Sequence, residues 1–252
     1  MKRSFASTLG FLLSALLLSP VSAQAADTAR WEYSGEHGPE HWGSLRKDYA
    51  ACDDGKKQSP TDITGAVRVK LPALEFHYRP MPLRIVNNGH TVRIDAVSGN
   101  RLVIGKENFR LIQFHFHTPS GDRIDGKSYD MAAHLVHKND AGQLGVVVVL
   151  FRQGAENAAL KPLWEKMPEH EGREQTFPDI HFDPTQLLPA ERGYYSFEGS
   201  LTVPPCTEGI RWFVLKQPVE LSPAQFAKFK AIYPLNNRPT QPLNGRRVKE
   251  SF

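Results

Sequence analysis

The segment Gln113-Phe114-His115-Phe116-His117 places two imidazoles two positions apart, and a third stands at His134 in the apolar run Ala133-His134-Leu135-Val136. Side chains alternate between the faces of a strand, so Gln113, His115 and His117 should share one side, with Ile112, Phe114 and Phe116 on the other. Three neutral nitrogen ligands, with no Cys or carboxylate at a matching fourth spacing, describe a metal site with one open position, the arrangement of catalytic zinc. Taken alone, the histidine pair also fits a hydrogen-bonded polar strand face, and a lone His134 fits a satisfied core residue. The Gln on the same face, the aromatics on the reverse face and the later run Ser200-Leu201-Thr202-Val203-Pro204-Pro205 favour the metal.

The elements that must hold such a site read mainly as strands. Segments 84–87, 90–96, 101–104, 109–117, 131–137, 144–151, 194–201 and 210–215 are rich in β-branched and aromatic residues and are separated by Gly, Asn, Asp or Pro. The fold class expected is predominantly β with a few short helices, one domain around a large, mostly antiparallel central sheet. Asn88-Gly89 predicts a two-residue hairpin turn between the first two strands. The clearest helix starts at Ser222-Pro223, with Ser as cap and Pro at the first helical position, and a second is expected over 155–167 despite Pro162 inside it. The Gly-, Pro- and Asp-rich segment 31–67 carries Trp31, Tyr33 and Trp42, so it is expected to pack on its own aromatics or to serve function.

The chain has 252 residues and a formal charge of +4. Lys2 and Arg3 precede the apolar run 9–18 and then Ala23-Gln24-Ala25, so residues 1–25 read as a secretory signal peptide and residues 26–252 as one mature domain. No later segment reaches the roughly 20 apolar residues of a membrane-spanning helix. A soluble exported protein, periplasmic or secreted, is expected. Without Lys2 and Arg3 the charge falls to +2, because residues 1–25 hold no acidic residue. The remaining cations are scattered, apart from Arg246-Arg247-Val248-Lys249, which argues against a nucleic-acid or lipid partner and sets no oligomeric state. Cys52 and Cys206 are the two cysteines of the chain, and in an exported protein they predict a single disulfide. Closing a loop that long stabilises by about 4–5 kcal/mol in the chain-entropy model.

Seven motifs, in order, resemble the α-class carbonic anhydrases. They are Gly38-Pro39-Glu40-His41-Trp42-Gly43, Gln58-Ser59-Pro60, Asn87-Asn88-Gly89-His90, Gln113-Phe114-His115-Phe116-His117, His134-Leu135-Val136-His137, Ser200-Leu201-Thr202-Val203-Pro204-Pro205 and Asn236-Asn237-Arg238-Pro239-Thr240-Gln241-Pro242. The resemblance implies Zn2+ held by His115, His117 and His134, a fourth position open to water, and reversible hydration of carbon dioxide to bicarbonate and a proton. It also implies His90 as proton shuttle, Thr202 as the hydroxyl that orients the attacking oxygen, and Val136, Val146, Leu201 and Trp212 as an apolar wall for carbon dioxide. Gln113 and the backbone of Asn236 match the groups that hold the outer nitrogens of His115 and His117. The secreted members carry a disulfide where Cys52 and Cys206 fall.

The chain departs from the family pattern at two carboxylates. The glutamate expected two residues before the third ligand is Ala132, and the one expected after Pro119-Ser120 is Gly121, with Asp122 one position along. Val203 also stands where a second Thr is frequent. Partners of a ligating histidine are worth about 10–100-fold in metal affinity or activity. Reduced activity is therefore expected, and the alternative is a low-turnover zinc-binding protein on the same scaffold. A zinc hydrolase of esters or peptides fits less well, since the chain has no His-Glu-x-x-His motif.

Overall fold

A computed structural model of the chain describes residues 30–252, so the expected signal peptide lies outside the described residues. The architecture centres on a 13-stranded sheet. Strand Glu107–His117 pairs antiparallel with Met131–Asn139, which pairs antiparallel with Leu144–Gln153. Leu144–Gln153 then runs parallel to Glu208–Leu215, and Tyr194–Ser200 adds antiparallel beyond it. Further parallel pairs join Leu144–Gln153 to Val219–Leu221 and Lys249–Glu250 to Val67–Arg68. The sheet is mixed but mostly antiparallel, as expected.

The run Val146 to Phe151 is apolar on both faces because it separates two cores. Val147, Val149 and Phe151 join the larger cluster, while Val146, Val148 and Leu150 join a second one with Trp212 and Ala132. A strand covered on both sides loses polar–apolar alternation. The His134 strand is divided the same way: Met131, Ala133 and Leu135 face the larger core, and Ala132 and Val136 the second cluster. His137, out of phase with His134, is fully buried against the Tyr78 hydroxyl, 2.6 Å from its Nε2.

A bulge corrects the simple alternation expected around the histidine pair. Leu111 pairs with His137 and Gln113 with Val136, so Ile112 has no opposite residue and is 39% exposed instead of joining Phe114 and Phe116 in the core. The inserted residue reverses the phase of the strand. Phe109 and Leu111 before it, and Phe114 and Phe116 after it, all enter the same core. Gln113, His115 and His117 are thereby left to the other face.

The turn at Asn88-Gly89 is wider than a two-residue hairpin. Strand Met81–Asn87 ends opposite Val92, where Val92–Asp95 begins, so four residues connect them and His90 lies in the turn, not in a strand. Asn88 Oδ1 accepts from the backbone N–H of His90 and Thr91, which stabilises the wider loop, and Gly89 takes a φ of 85°.

Helix Pro223–Ile232 starts as expected, with a full capping box between Ser222 and Gln225. The helix expected over 155–167 is shorter: a 3₁₀ turn Ala158–Leu160 leads into Lys161–Lys166, with Pro162 in the first turn, where its missing N–H has no intrahelical partner to lose. The aromatics of segment 31–67 do pack together, with Trp42 fully buried beside Cys52 and Cys206, and with Trp31 and Tyr33 against them. The disulfide Cys52–Cys206 is formed. Among the described residues no helix is long and apolar enough to cross a membrane.

Candidate metal centre

The antiparallel register places His115 directly opposite His134, and His117 opposite Ala132. The three imidazoles converge: one ligand atom from each lies within 4.8 Å of the other two. Ring centroids are 4.9 Å apart for His115–His117, 5.4 Å for His115–His134 and 4.4 Å for His117–His134. Burial, above all, pushes the three imidazoles down, His117 to about 4 and the other two well below the usual range. All three are therefore neutral near pH 7, the form that offers a lone pair to a cation.

Hydrogen bonds fix two of the rings. Gln113 Oε1 lies 2.8 Å from His115 Nδ1, and the Asn236 carbonyl oxygen lies 2.6 Å from His117 Nδ1. Each oxygen can only accept, so each Nδ1 carries the proton and each Nε2 keeps its lone pair. His117 Nε2, the nitrogen left free by the bond to Asn236, is buried with no hydrogen-bond partner. A buried polar nitrogen is rarely left unpaired, and a cation among the three rings would satisfy it. The residues therefore fit a zinc ion.

His134 is the least braced of the three rings. Neither of its nitrogens bonds another described residue, and Ala132, fully buried among apolar side chains, offers none. Its ring is oriented by packing instead, edge-on to Trp212 at 5.1 Å.

The expected apolar wall is contiguous. Val136 pairs with Val146 and Val146 with Trp212, a row across three strands, and Leu201 packs against the same cluster. Trp212 Nε1 donates to the Ser200 carbonyl at 3.2 Å, tying the loop that carries Leu201 and Thr202 to this row. The disulfide anchors the other end of that loop at Cys206.

Thr202 is nearly buried, and its hydroxyl makes no hydrogen bond with another described residue. Asp122 does not serve it. The fully buried carboxylate accepts from the Thr61 backbone N–H at 2.9 Å through Oδ1, and its Oδ2 has no partner. Burial raises Asp122 to about 7, opposed by that N–H and by Arg246. A Cβ at Gly121 would stand 2.8 Å and 2.9 Å from the Pro60 ring carbons, so the proline occupies the space a glutamate side chain there would need.

His90 stands outside the imidazole cluster, half-buried, with its ring stacked on Trp31 at 3.7 Å and 9°. Asn236 Nδ2 donates to the His90 carbonyl at 3.1 Å, so one residue braces both His117 and the His90 turn. Burial lowers the His90 imidazole, with the nearby Glu171 carboxylate opposing. The Trp31 stack was not legible in the sequence beyond an aromatic in a long loop, because nothing local links position 31 to position 90.

A family model of the eukaryotic-type carbonic anhydrases matches residues 37–252. The chain belongs to this family. It is 46% identical over 242 residues to a carbonic anhydrase of Klebsiella pneumoniae, covering 94% of this chain and 96% of that one. It is 42% identical over 251 residues to a carbonic anhydrase of Nostoc sp., covering 98% and 94%. Among solved structures, the α-carbonic anhydrase of Thermovibrio ammonificans in complex with sulfanilamide superposes with a TM-score of 0.85 at 44% identity, covering 88% of this chain and 99% of that one.

Proposed function

We propose that this chain hydrates carbon dioxide reversibly to bicarbonate and a proton, using zinc held by His115, His117 and His134, and that it does so in an oxidising compartment after export. The observation that carries the reading is the convergence of three neutral imidazoles, two of them buried, with His117 Nε2 left without a protein partner. Zinc bound there would act as a Lewis acid and lower the pKa of water to about 7, a figure that belongs to carbonic anhydrases as a class.

The residues of the chain supply the rest. Val136, Val146, Leu201 and Trp212 present an apolar surface that excludes water and suits linear, uncharged carbon dioxide better than bicarbonate. Thr202 Oγ1, unclaimed by the protein, is available to orient the reacting oxygen. His90 takes the released proton at its imidazole and passes it to solvent, in the pH range where imidazole titrates. Its stack on Trp31 holds the ring in one orientation between turns of that relay. The disulfide, the family relatives and the basic, apolar start of the chain support export.

Turnover is reduced relative to family members with both carboxylates. Without an acceptor for its own proton, the Thr202 hydroxyl has no fixed direction, and without a partner His134 holds metal less firmly. The same two observations favour the second reading, a zinc-binding protein of low turnover. Stopped-flow hydration by the zinc-loaded protein and by His134→Ala separates them: the proposal expects catalysis above buffer that the variant loses, and no difference between the two would reject it.

A further inference from the structure

A cleft of about 720 Å³ opens on the side of the sheet opposite the histidines. Phe197 and Trp212 are register partners and face the metal side, so their neighbours, the pairs Ser196–Phe213 and Glu198–Arg211, point the other way. Lys249, the register partner of Ser196, stands on this same side. The chemistry of the lining is one-sided in charge: Lys57, Arg211, Arg246, Arg247 and Lys249 against the single acidic residue Glu198.

Not all of these cations are available. The Arg246 guanidinium is consumed by the carbonyl oxygens of Leu243, Glu198, Gln58 and Pro242, so it is a structural brace. Lys57 lies 3.0 Å from Glu198, which accounts for the one carboxylate of the lining. Arg211 donates from Nη1 to Glu107 and rests over the Phe109 and Phe213 rings at 5.5 Å and 5.3 Å, leaving Nε and Nη2 without a protein acceptor. Arg247 and Lys249 are exposed and make no ion pair or side-chain hydrogen bond with another described residue. Arg247 and Lys249 thus border one concavity without a paired carboxylate, and Arg211, paired at one nitrogen with Glu107, turns two further donors to it, beside apolar walls from Leu71 and Ile104.

Like charges gathered around a low-dielectric hollow focus potential and raise the local concentration of anions. A guanidinium with two free donors matches the paired oxygens of a phosphate group, and an ammonium adds a point charge. The size falls within the range of small-molecule sites, roughly 300–1,000 Å³. We propose that this cleft is a second binding site, separate from the metal centre, for a small phosphate-bearing anion.

Calorimetric titration of the zinc-loaded protein with inorganic pyrophosphate and with ADP tests this, in parallel with metal-stripped protein because anions also bind zinc. One site of equal affinity in both preparations is expected, weakened on the order of tenfold or more in Arg247→Glu/Lys249→Glu. Hydration activity of that variant, whose two changes are exposed and border the cleft across the sheet from the histidines, is expected unchanged and reports that it is folded. Tighter binding of ADP than of pyrophosphate would place an organic group on the apolar wall, and equal binding would identify the phosphates alone as the ligand. No binding at millimolar pyrophosphate, binding that vanishes when zinc is removed, or affinity unaltered by the double reversal would overturn the proposal.

Discussion

Asp122→Asn should change the pH dependence of folding in a direction that the buried carboxylate dictates. Asp122 is fully buried, with one oxygen on the Thr61 N–H and the other unpaired, and burial raises it from 3.8 to about 7. A carboxyl raised in the folded state binds its proton there while the unfolded chain has already lost it. Its contribution to stability is then complete below about pH 4 and is lost as pH rises through 7, the reverse of a salt-bridged aspartate. A pKa difference of one between the folded and unfolded chain is worth about 1.4 kcal/mol, so the contribution lost between pH 4 and pH 8 is about 4 kcal/mol at its upper limit. Asn keeps the acceptor for Thr61 and cannot ionise, although its unpaired amide costs about 1–3 kcal/mol at every pH. Urea unfolding of zinc-saturated wild type and Asp122→Asn at pH 5 and pH 8 isolates the effect, since the other titrating groups are common to both. The variant should gain relative to wild type between pH 5 and pH 8 by at most about 3 kcal/mol, since only the part of the shift above pH 5 falls in that window. Parallel stability curves would overturn this expectation and mean that Arg246 keeps Asp122 ionised throughout.

Ala132→Glu places a carboxylate two residues before His134, and zinc dissociation should slow by about 10–100-fold; an unchanged off-rate, followed with a chromogenic chelator, would show that His134 does not want for a partner. Gly121→Glu should lower stability by about 1–3 kcal/mol without raising hydration, because its Cβ meets Pro60, and adding Pro60→Ala should recover stability. A single variant that is as stable as wild type would show that the proline yields. Glu171→Gln removes the anion that opposes the burial of His90, so the His90 imidazole should titrate at lower pH by NMR. An unchanged titration would mean that solvent screens the pair.

The candidate site was legible because period-two alternation and family motifs agree at Gln113, His115, His117 and His134, and the structure brings these residues together. The reason the alternation holds was not legible: the bulge at Ile112 reverses the strand's phase, and a bulge is set by pairing with a strand about 25 residues away, not by local composition. Strand Gln175–Phe182 was missed because its residues are mostly exposed and show no apolar alternation; its pairing with Met81–Asn87 holds it. The His90 turn misled for a different reason. Asn-Gly favours a tight hairpin, but the Asn88 side chain bonds two backbone N–H groups further along and opens the loop by two residues. Missing carboxylates were visible as letters. What replaces them was not, since only packing shows Pro60 against Gly121 and Asp122 turned to Thr61.

Zinc content of the purified protein, measured together with its carbon dioxide hydration rate before chelation, after chelation and after zinc is restored, bears on the metal centre without intermediaries. About one zinc per chain is expected, with hydration that falls to the buffer rate on stripping and returns on reloading. Hydration that persists without metal, or a chain that takes up no zinc, would show that the three converging imidazoles are not the seat of the chemistry.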